Sequence, residues 1–276
     1  MTTILTRDPA DLPRPSHLAD TATGLPIPDD APTTGVDDVR RHRKQRLAAA
    51  LRIFGKYGYG EGISGHLSVR DPGDPDLFWV NPFGLSFKQV RVRDLICVDS
   101  VGQVVHGVHK VNPSAFAIHS QIHQLRPDAE AIAHGHTAYS RALAATGQLL
   151  EPIDQESAAF YRDQVFYSDY DGPSVALEQG RRMAEHLGSK RAMLLRYHGL
   201  ITVAGSIEEA VHWFITYESC AQVQAIARAS GPLQPMSEQQ AELARAGFGD
   251  PQLGRFSFRL LWDEILREQP DFLEET

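Results

Sequence analysis

With 276 residues, 42% of them hydrophobic and 22% charged, the chain has the composition of an ordinary globular protein and the length of one large domain or two small ones. Lys and Arg number 27 against 35 Asp and Glu, and the resulting net charge of −8 leaves no general positive field to attract nucleic acid or an anionic membrane. The N-terminal MTTILTRDPADLPRPS lacks the apolar stretch of a signal peptide, and no window approaches the ~20 apolar residues of a membrane span, so a cytoplasmic location is expected.

Residues 1–35 hold Pro9, Pro13, Pro15, Pro26, Pro28 and Pro32 without sustained periodicity and are expected to form an extended arm, leaving 36–276 as a single domain. From Asp37 to Tyr57, the apolar side chains Val39, Leu47, Leu51 and Phe54 recur at helical spacing behind two acidic residues suited to a first turn. Four short apolar runs follow, HLSVRD, LFWVNP, LICVD and QVVHG, separated by turn residues as antiparallel strands would be. Asn112 to Leu125 predicts a helix stopped by Arg126-Pro127-Asp128, after which AEAIAHGH reads as a strand leading into a helix from Thr137. SVALEQGRRMAEHLG predicts a helix ended by Gly188, and AMLLRYHGLITVA breaks into two strands at His198-Gly199. Ser206 and Glu209 form a capping-box pattern at the head of a long helix, and RFSFRLLWDEILREQPDF supplies a last amphipathic helix. Helices interleaved with strands that are largely antiparallel predict an α/β class: three αβα layers around a central mixed or antiparallel sheet. Cys97 and Cys220 lie far apart in apolar runs and are expected to be buried free thiols.

The chain carries 12 His, and their placement points to chemistry. His134 and His136 end an apolar strand, where residues i and i+2 project together about 6–7 Å apart and can reach one metal ion. His198 interrupts another apolar run, where an imidazole without a partner would be costly. Three neutral imidazoles leave coordination positions open, as catalytic metal sites do, and they suit Zn and Fe(II), with Mn, Co or Ni also accommodated.

The ordered segments SGHLSVRD, VNPFGLSF, NPSAFAIHSQIHQLRPDAEAIAHGH and LLRYHGLITVAGSIEEA resemble the class II aldolase/adducin family over roughly residues 38–230. The resemblance implies an αβα aldolase-like fold, one divalent ion held by His134, His136 and His198, and a homotetramer with small-molecule sites between subunits. It also marks departures. Ala115 stands where sugar-phosphate aldolases of the family carry their acid/base Glu, with Ser114 at the preceding Ser. His66 replaces the Asn of the family's SGN segment, and Asn81-Pro82-Phe83-Gly84 replaces its phosphate-binding loop, so a non-phosphorylated substrate is expected. His119 and His123, one and two turns after Ala115, and Glu156 are candidates to replace the missing base. By motif, Phe83, Phe87, Phe116, Phe160 and Tyr161 gather near the inferred site, favouring a flat aromatic or apolar carbonyl compound, and Arg70, Lys88 or Arg196 could anchor its carboxylate. The substrate-binding set expected is therefore His66, Asn81, Phe83, Gly84, Ser114, Phe116 and Tyr161.

Three functions compete. A metal-dependent carbon–carbon lyase, of aldolase or decarboxylase type, would act on an aromatic or apolar 2-oxo or carbonyl compound. An Fe(II)-dependent, 2-oxoglutarate-independent oxygenase would decarboxylate a 2-oxo acid oxidatively, as does a branch of the family resembling the non-haem iron oxygenase of the aminocoumarin pathway. An adducin-like binding module would do no chemistry, a role that gives no reason to retain three His.

Overall fold

A computed structural model describes residues 34–170, 172–173 and 175–275, so all but the last two residues of the expected arm lie outside the described residues. The chain enters through helix α1 (Val36–Lys56), which starts behind Gly35 with Asp37 and Asp38 in its first turn and buries Leu47, Leu51 and Phe54. Strands β1 (His66–Arg70), β2 (Phe78–Val80), β3 (Ile96–Val98) and β4 (Val104–His106) then form an antiparallel meander. Helix α2 (Pro113–Leu125) has Pro at its first position, and the Asn112 side chain accepts from the Ser114 amide as N-cap. It leads to β5 (Ala131–Gly135), α3 (Ala138–Ala145), the one-turn α4 (Gln155–Ala158) and β6 (Gln164–Tyr167). Helix α5 (Leu177–Leu187) crosses to the hairpin β7 (Ala192–Leu195) and β8 (Leu200–Ala204). Helices α6 (Ile207–Ser230), α7 (Glu238–Phe248) and α8 (Pro251–Glu268) complete the domain.

The eight strands form one sheet in the order β4-β3-β2-β1-β5-β8-β7-β6. Among the described residues only the β6–β7 pair is parallel, and its crossover helix is α5; the sheet is thus mixed. Strand parity sorts the layers. Leu67, Val69, Ala131, Ala133 and Leu200 pack against α1 and α6, whereas Ile132, Met193, Ile201 and Val203 pack against α2 and α5 on the opposite face. The two helices of that second layer touch backbone to backbone, since a Cβ on Gly180 would fall 1.8 Å from the Ala117 carbonyl oxygen. The architecture is therefore the α/β, three-layer arrangement that the patterning predicts.

Local differences have physical causes. The Ser206 side chain caps α6 by accepting from the Glu209 amide, but the Glu209 carboxylate accepts from Arg255 Nε at 2.9 Å, so only half of the expected capping box forms. β6 is four residues between loops and has too little periodicity to stand out, and α5 begins at Leu177, three residues later than its apolar pattern suggests. Cys97 and Cys220 are both buried and unpaired, and burial pushes the Cys97 thiol up to about 12. Among the described residues no helix is long and apolar enough to cross a membrane.

Candidate metal centre

Three histidines meet where β5 ends beside the β7–β8 turn. His134 shares the β5 face of Ile132, and His136 follows the last strand residue, Gly135. β8 pairs with β5 in the register His134↔Ile201 and Gly135↔Leu200, which sets the turn bearing His198 against that strand end. The turn is tight: the Leu195 amide donates to the Gly199 carbonyl at 2.8 Å and the His198 amide to the Leu195 carbonyl at 3.2 Å. Tyr197 takes φ 57° within it, a left-handed conformation that costs a non-glycine residue on the order of 1 kcal/mol or more. Gly199 permits the approach, because a Cβ there would lie 2.4 Å from the Gly135 carbonyl oxygen.

One ring nitrogen from each of His134, His136 and His198 lies within 4.8 Å of the others. The His134 Nδ1–H donates to the Leu200 carbonyl at 2.9 Å; a carbonyl only accepts, so the other nitrogen, Nε2, is a bare lone pair. It faces His136 Nε2 at 3.2 Å. Two ligands held about 2.0–2.1 Å from a tetrahedral ion stand about 3.3 Å apart, so the donor set and its spacing fit a divalent cation. Burial pushes all three imidazoles below the ordinary histidine range, His198 to about 4, which keeps them in the neutral, ligating form. The segment after His136 is held by Glu218 of α6, whose carboxylate accepts from the Thr137 and Ser140 hydroxyls at 2.6 and 2.5 Å and from the Tyr139 and Ser140 amides at 2.9 and 2.8 Å.

The triad opens into a cleft of about 420 Å³. His66, His136 and His198 form its floor, Asn112 and Ser114 offer polar groups, and Ile63, Phe83, Tyr170, Val175 and Tyr197 make an apolar rim. The rings of Tyr170 and Tyr197 meet edge to face at 5.7 Å. No Asp, Glu, Lys or Arg lines the cleft among the described residues.

Of the residues singled out in the sequence, His66, Phe83 and Ser114 reach the cleft with His136 and His198, while His134 stands beneath, its ring 4.8 Å from those of His66 and His198. His119 and His123 are buried behind His66 and do not line the cleft. Glu156 is exposed in the first turn of α4, away from the cleft in this chain. Asn81 is buried, its Oδ1 accepting from the Leu67 amide at 3.0 Å to extend the β1–β2 ladder, and Gly84 takes a left-handed turn beyond it. Phe116 packs against the cluster of Phe78, Val80, Ile96 and Val98, and Ala115 is fully buried in that same cluster. Phe87 and Phe160 are core side chains, and Tyr161 lies under the Arg162 guanidinium. Arg70 donates to the Pro75, His123 and Arg126 carbonyls and Lys88 is exposed, whereas Arg196 lines a narrow recess beside His198. The sequence reading missed Ser68, which joins the histidines behind the cleft; its only signal is the i, i+2 spacing from His66 on one strand face. It also missed the rim residues Tyr170 and Tyr197, the second of which directly precedes a candidate ligand.

Residues 45–225 match the family described as Class II Aldolase and Adducin N-terminal domain. The chain is 37% identical over 234 residues to a 4-hydroxy-3-prenylphenylpyruvate oxygenase/4-hydroxy-3-prenylbenzoate synthase of Streptomyces roseochromogenus subsp. oscitans, covering 84% of each chain. It is 36% identical to Decarboxylase NovR of Streptomyces niveus, over 84% of this chain and 87% of that one. Among solved structures, an L-fuculose 1-phosphate aldolase from Glaciozyma antarctica PI12 superposes with a TM-score of 0.82 at 38% identity, covering 88% of this chain and 96% of that one.

Proposed function

The chain belongs to the class II aldolase and adducin family, and from that premise we propose that it is a metal-dependent enzyme that breaks a carbon–carbon bond of a non-phosphorylated aromatic or apolar 2-oxo acid. The observation that carries this reading is the content of the cleft: three converging imidazoles, an apolar rim, and neither a carboxylate nor a cation among the described lining residues. A sugar-phosphate aldolase needs a carboxyl group to move the proton of its carbon acid and cationic or amide donors to hold the phosphate, and the Ala115 methyl is buried in an apolar cluster instead. In this reading His134, His136 and His198 hold one divalent ion, which when bound supplies a Lewis acid for the substrate's carbonyl and carboxylate oxygens. The chain's own groups do the rest. Leu200 and Glu218 fix the rings of His134 and the segment after His136, and Phe83, Tyr170 and Tyr197 cover the apolar part of the substrate and exclude water. His119, His123 and Glu156 then act at most indirectly, the first two through His66.

A second reading is favoured by the Streptomyces oxygenase and by the absence of a carboxylate at position 115: the ion is Fe(II), and decarboxylation is oxidative, with no 2-oxoglutarate. The proposal includes a homotetrameric assembly that closes the open cleft between subunits and a reducing, cytoplasmic setting suited to two unpaired thiols. The full-length protein, purified anaerobically, is expected to contain about one equivalent of metal. Release of CO₂ from phenylpyruvate in step with consumption of O₂ selects the oxygenase, and release of pyruvate without O₂ from a 4-hydroxy-4-aryl-2-oxo acid, a cleavage that leaves its electron pair in an enolate, selects the lyase. Full metal content in His198→Ala, or efficient cleavage of fuculose, rhamnulose or ribulose phosphates by the wild type, overturns the reading.

A further inference from the structure

Behind the cleft, β1 and α2 hold a chain of polar groups that the proposed reaction does not use. His66 Nδ1 lies 3.0 Å from His119 Nε2, His119 Nδ1 lies 2.7 Å from Ser68 Oγ, Ser68 Oγ lies 2.9 Å from His123 Nε2, and His123 Nδ1 lies 3.1 Å from the Ala129 carbonyl oxygen. His66 is 2% exposed, Ser68 and His119 are fully buried, and His123 is 4% exposed.

The direction of each bond follows from the far end. A carbonyl only accepts, so His123 Nδ1 carries a proton. Burial beside the Arg70 guanidinium, with no carboxylate in contact among the described residues, keeps that ring neutral, and its Nε2 is then an acceptor. Ser68 has one proton and gives it to His123 Nε2, which leaves its oxygen to accept from His119 Nδ1–H. His119, fully buried and likewise neutral, accepts at Nε2, so His66 donates from Nδ1. The direction of every bond in the chain is thereby assigned from its geometry, and His66, which lines the cleft, turns its Nδ1 to His119.

We infer that Ser68, His119 and His123 are positioning residues that lock His66 in the Nδ1–H tautomer, making it a hydrogen-bond acceptor in the cleft that selects a ligand hydroxyl and rejects phosphate. This deepens the proposed function and rests on it only for the identity of the cleft as the substrate site. The resemblance puts an amide, which can donate, at position 66; a locked imidazole reverses the sign of that contact. The oxygens of a fully ionised phosphate monoester only accept and are repelled by a lone pair, whereas a ligand O–H is satisfied.

The test uses the full-length chain loaded with diamagnetic Zn(II), labelled with ¹⁵N-histidine and examined by long-range ¹H–¹⁵N correlation without substrate. His66, His119 and His123 are expected in the Nδ1–H tautomer, with Nε2 of His66 in the unprotonated range. In Ser68→Ala, His119 loses its acceptor and His66 is expected to shift toward the Nε2–H form, while Ser68→Thr, which keeps the hydroxyl, retains the wild-type pattern. Phenyl phosphate at pH 8, a dianion with no O–H, is expected not to move His66 Nε2 toward the protonated range. An Nε2–H or doubly protonated His66 in the wild type, an unchanged His66 in folded Ser68→Ala, or a shift into the protonated range induced by phenyl phosphate overturns the inference. Because the tautomer is read without turnover, failure on both 2-oxo acids with the tautomer intact counts against the proposed reaction alone, and turnover with the wrong tautomer counts against this inference alone.

Discussion

Single atoms decide what the cleft can do. Adding one methyl in Gly199→Ala places a carbon 2.4 Å from the Gly135 carbonyl and must push the His198 turn away from β5. Overpacking of this kind costs about 1–3 kcal/mol, and here the displaced group is a proposed ligand. The expected result is a modest fall in urea midpoint together with at least a tenfold loss of Zn(II) affinity, measured by competition with a chromophoric chelator; unchanged affinity would show that the backbone contact does not position the ring. Ala115→Glu is expected not to restore the acid/base group that family aldolases carry at this position. Its carboxylate would enter the cluster of Phe78, Val80, Ile96 and Val98, so the variant is expected to lose about 2 kcal/mol or more of stability without gaining aldol cleavage, as read by denaturation and by assay on sugar phosphates. The convergence of His134, His136 and His198 was legible from the sequence because imidazole in an apolar run is chemically conspicuous. Ser68 was not, since a small hydroxyl in a strand reads as filler until a helix 51 residues away in sequence is laid over it.

Between elements, the contact of β1 with α2 is polar at its centre, and this makes it sensitive to pH. His123 is pushed down to about 3 by burial and by the nearby Arg70 charge, against a weaker upward pull from the Ala129 carbonyl; Ser68 and His119 face it from β1 and α2, and the Phe78 ring lies at 5.3 Å. An unfolded histidine titrates near 6.5. Between those values the unfolded chain binds the extra proton, so the stability from this group is complete above pH ~6.5 and is lost as pH falls toward 3, at up to about 1.4 kcal/mol per pH unit. Urea midpoints measured from pH 7 to 5 are expected to fall, and His123→Phe is expected to be less stable at pH 7 yet to show a shallower slope by roughly one proton. An equal slope in the variant would assign the acid sensitivity elsewhere. The longer helices and most strands could be read from periodicity and capping, but α4, β6 and α7 were not, and the facing of the side chains could not be. Phe87 and Phe160 carry the same motif proximity as Phe83, yet packing turns them into the core and leaves Phe83 on the cleft rim.

Across the whole molecule, the fold class followed from local pattern, whereas the cleft did not, because its described lining comes from six separated stretches, around Ile63, Phe83, Asn112, His136, Tyr170 and Tyr197. The register of β5 with β8 has a further consequence, kinetic in kind. His136 and His198 are 62 residues apart in the chain, so an ion bridging them closes a long loop whose entropy has already been spent once the strands pair. No pair of chain ends would hold a stray ion while that loop is open. The metal is therefore expected to arrive after the main folding barrier and to act as a late clasp. In stopped-flow chevrons with and without Zn(II), the unfolding limb should slow by about the full equilibrium stabilisation while the folding limb stays in place; a folding rate that climbs with zinc would mean that the ligands find one another before the strands do.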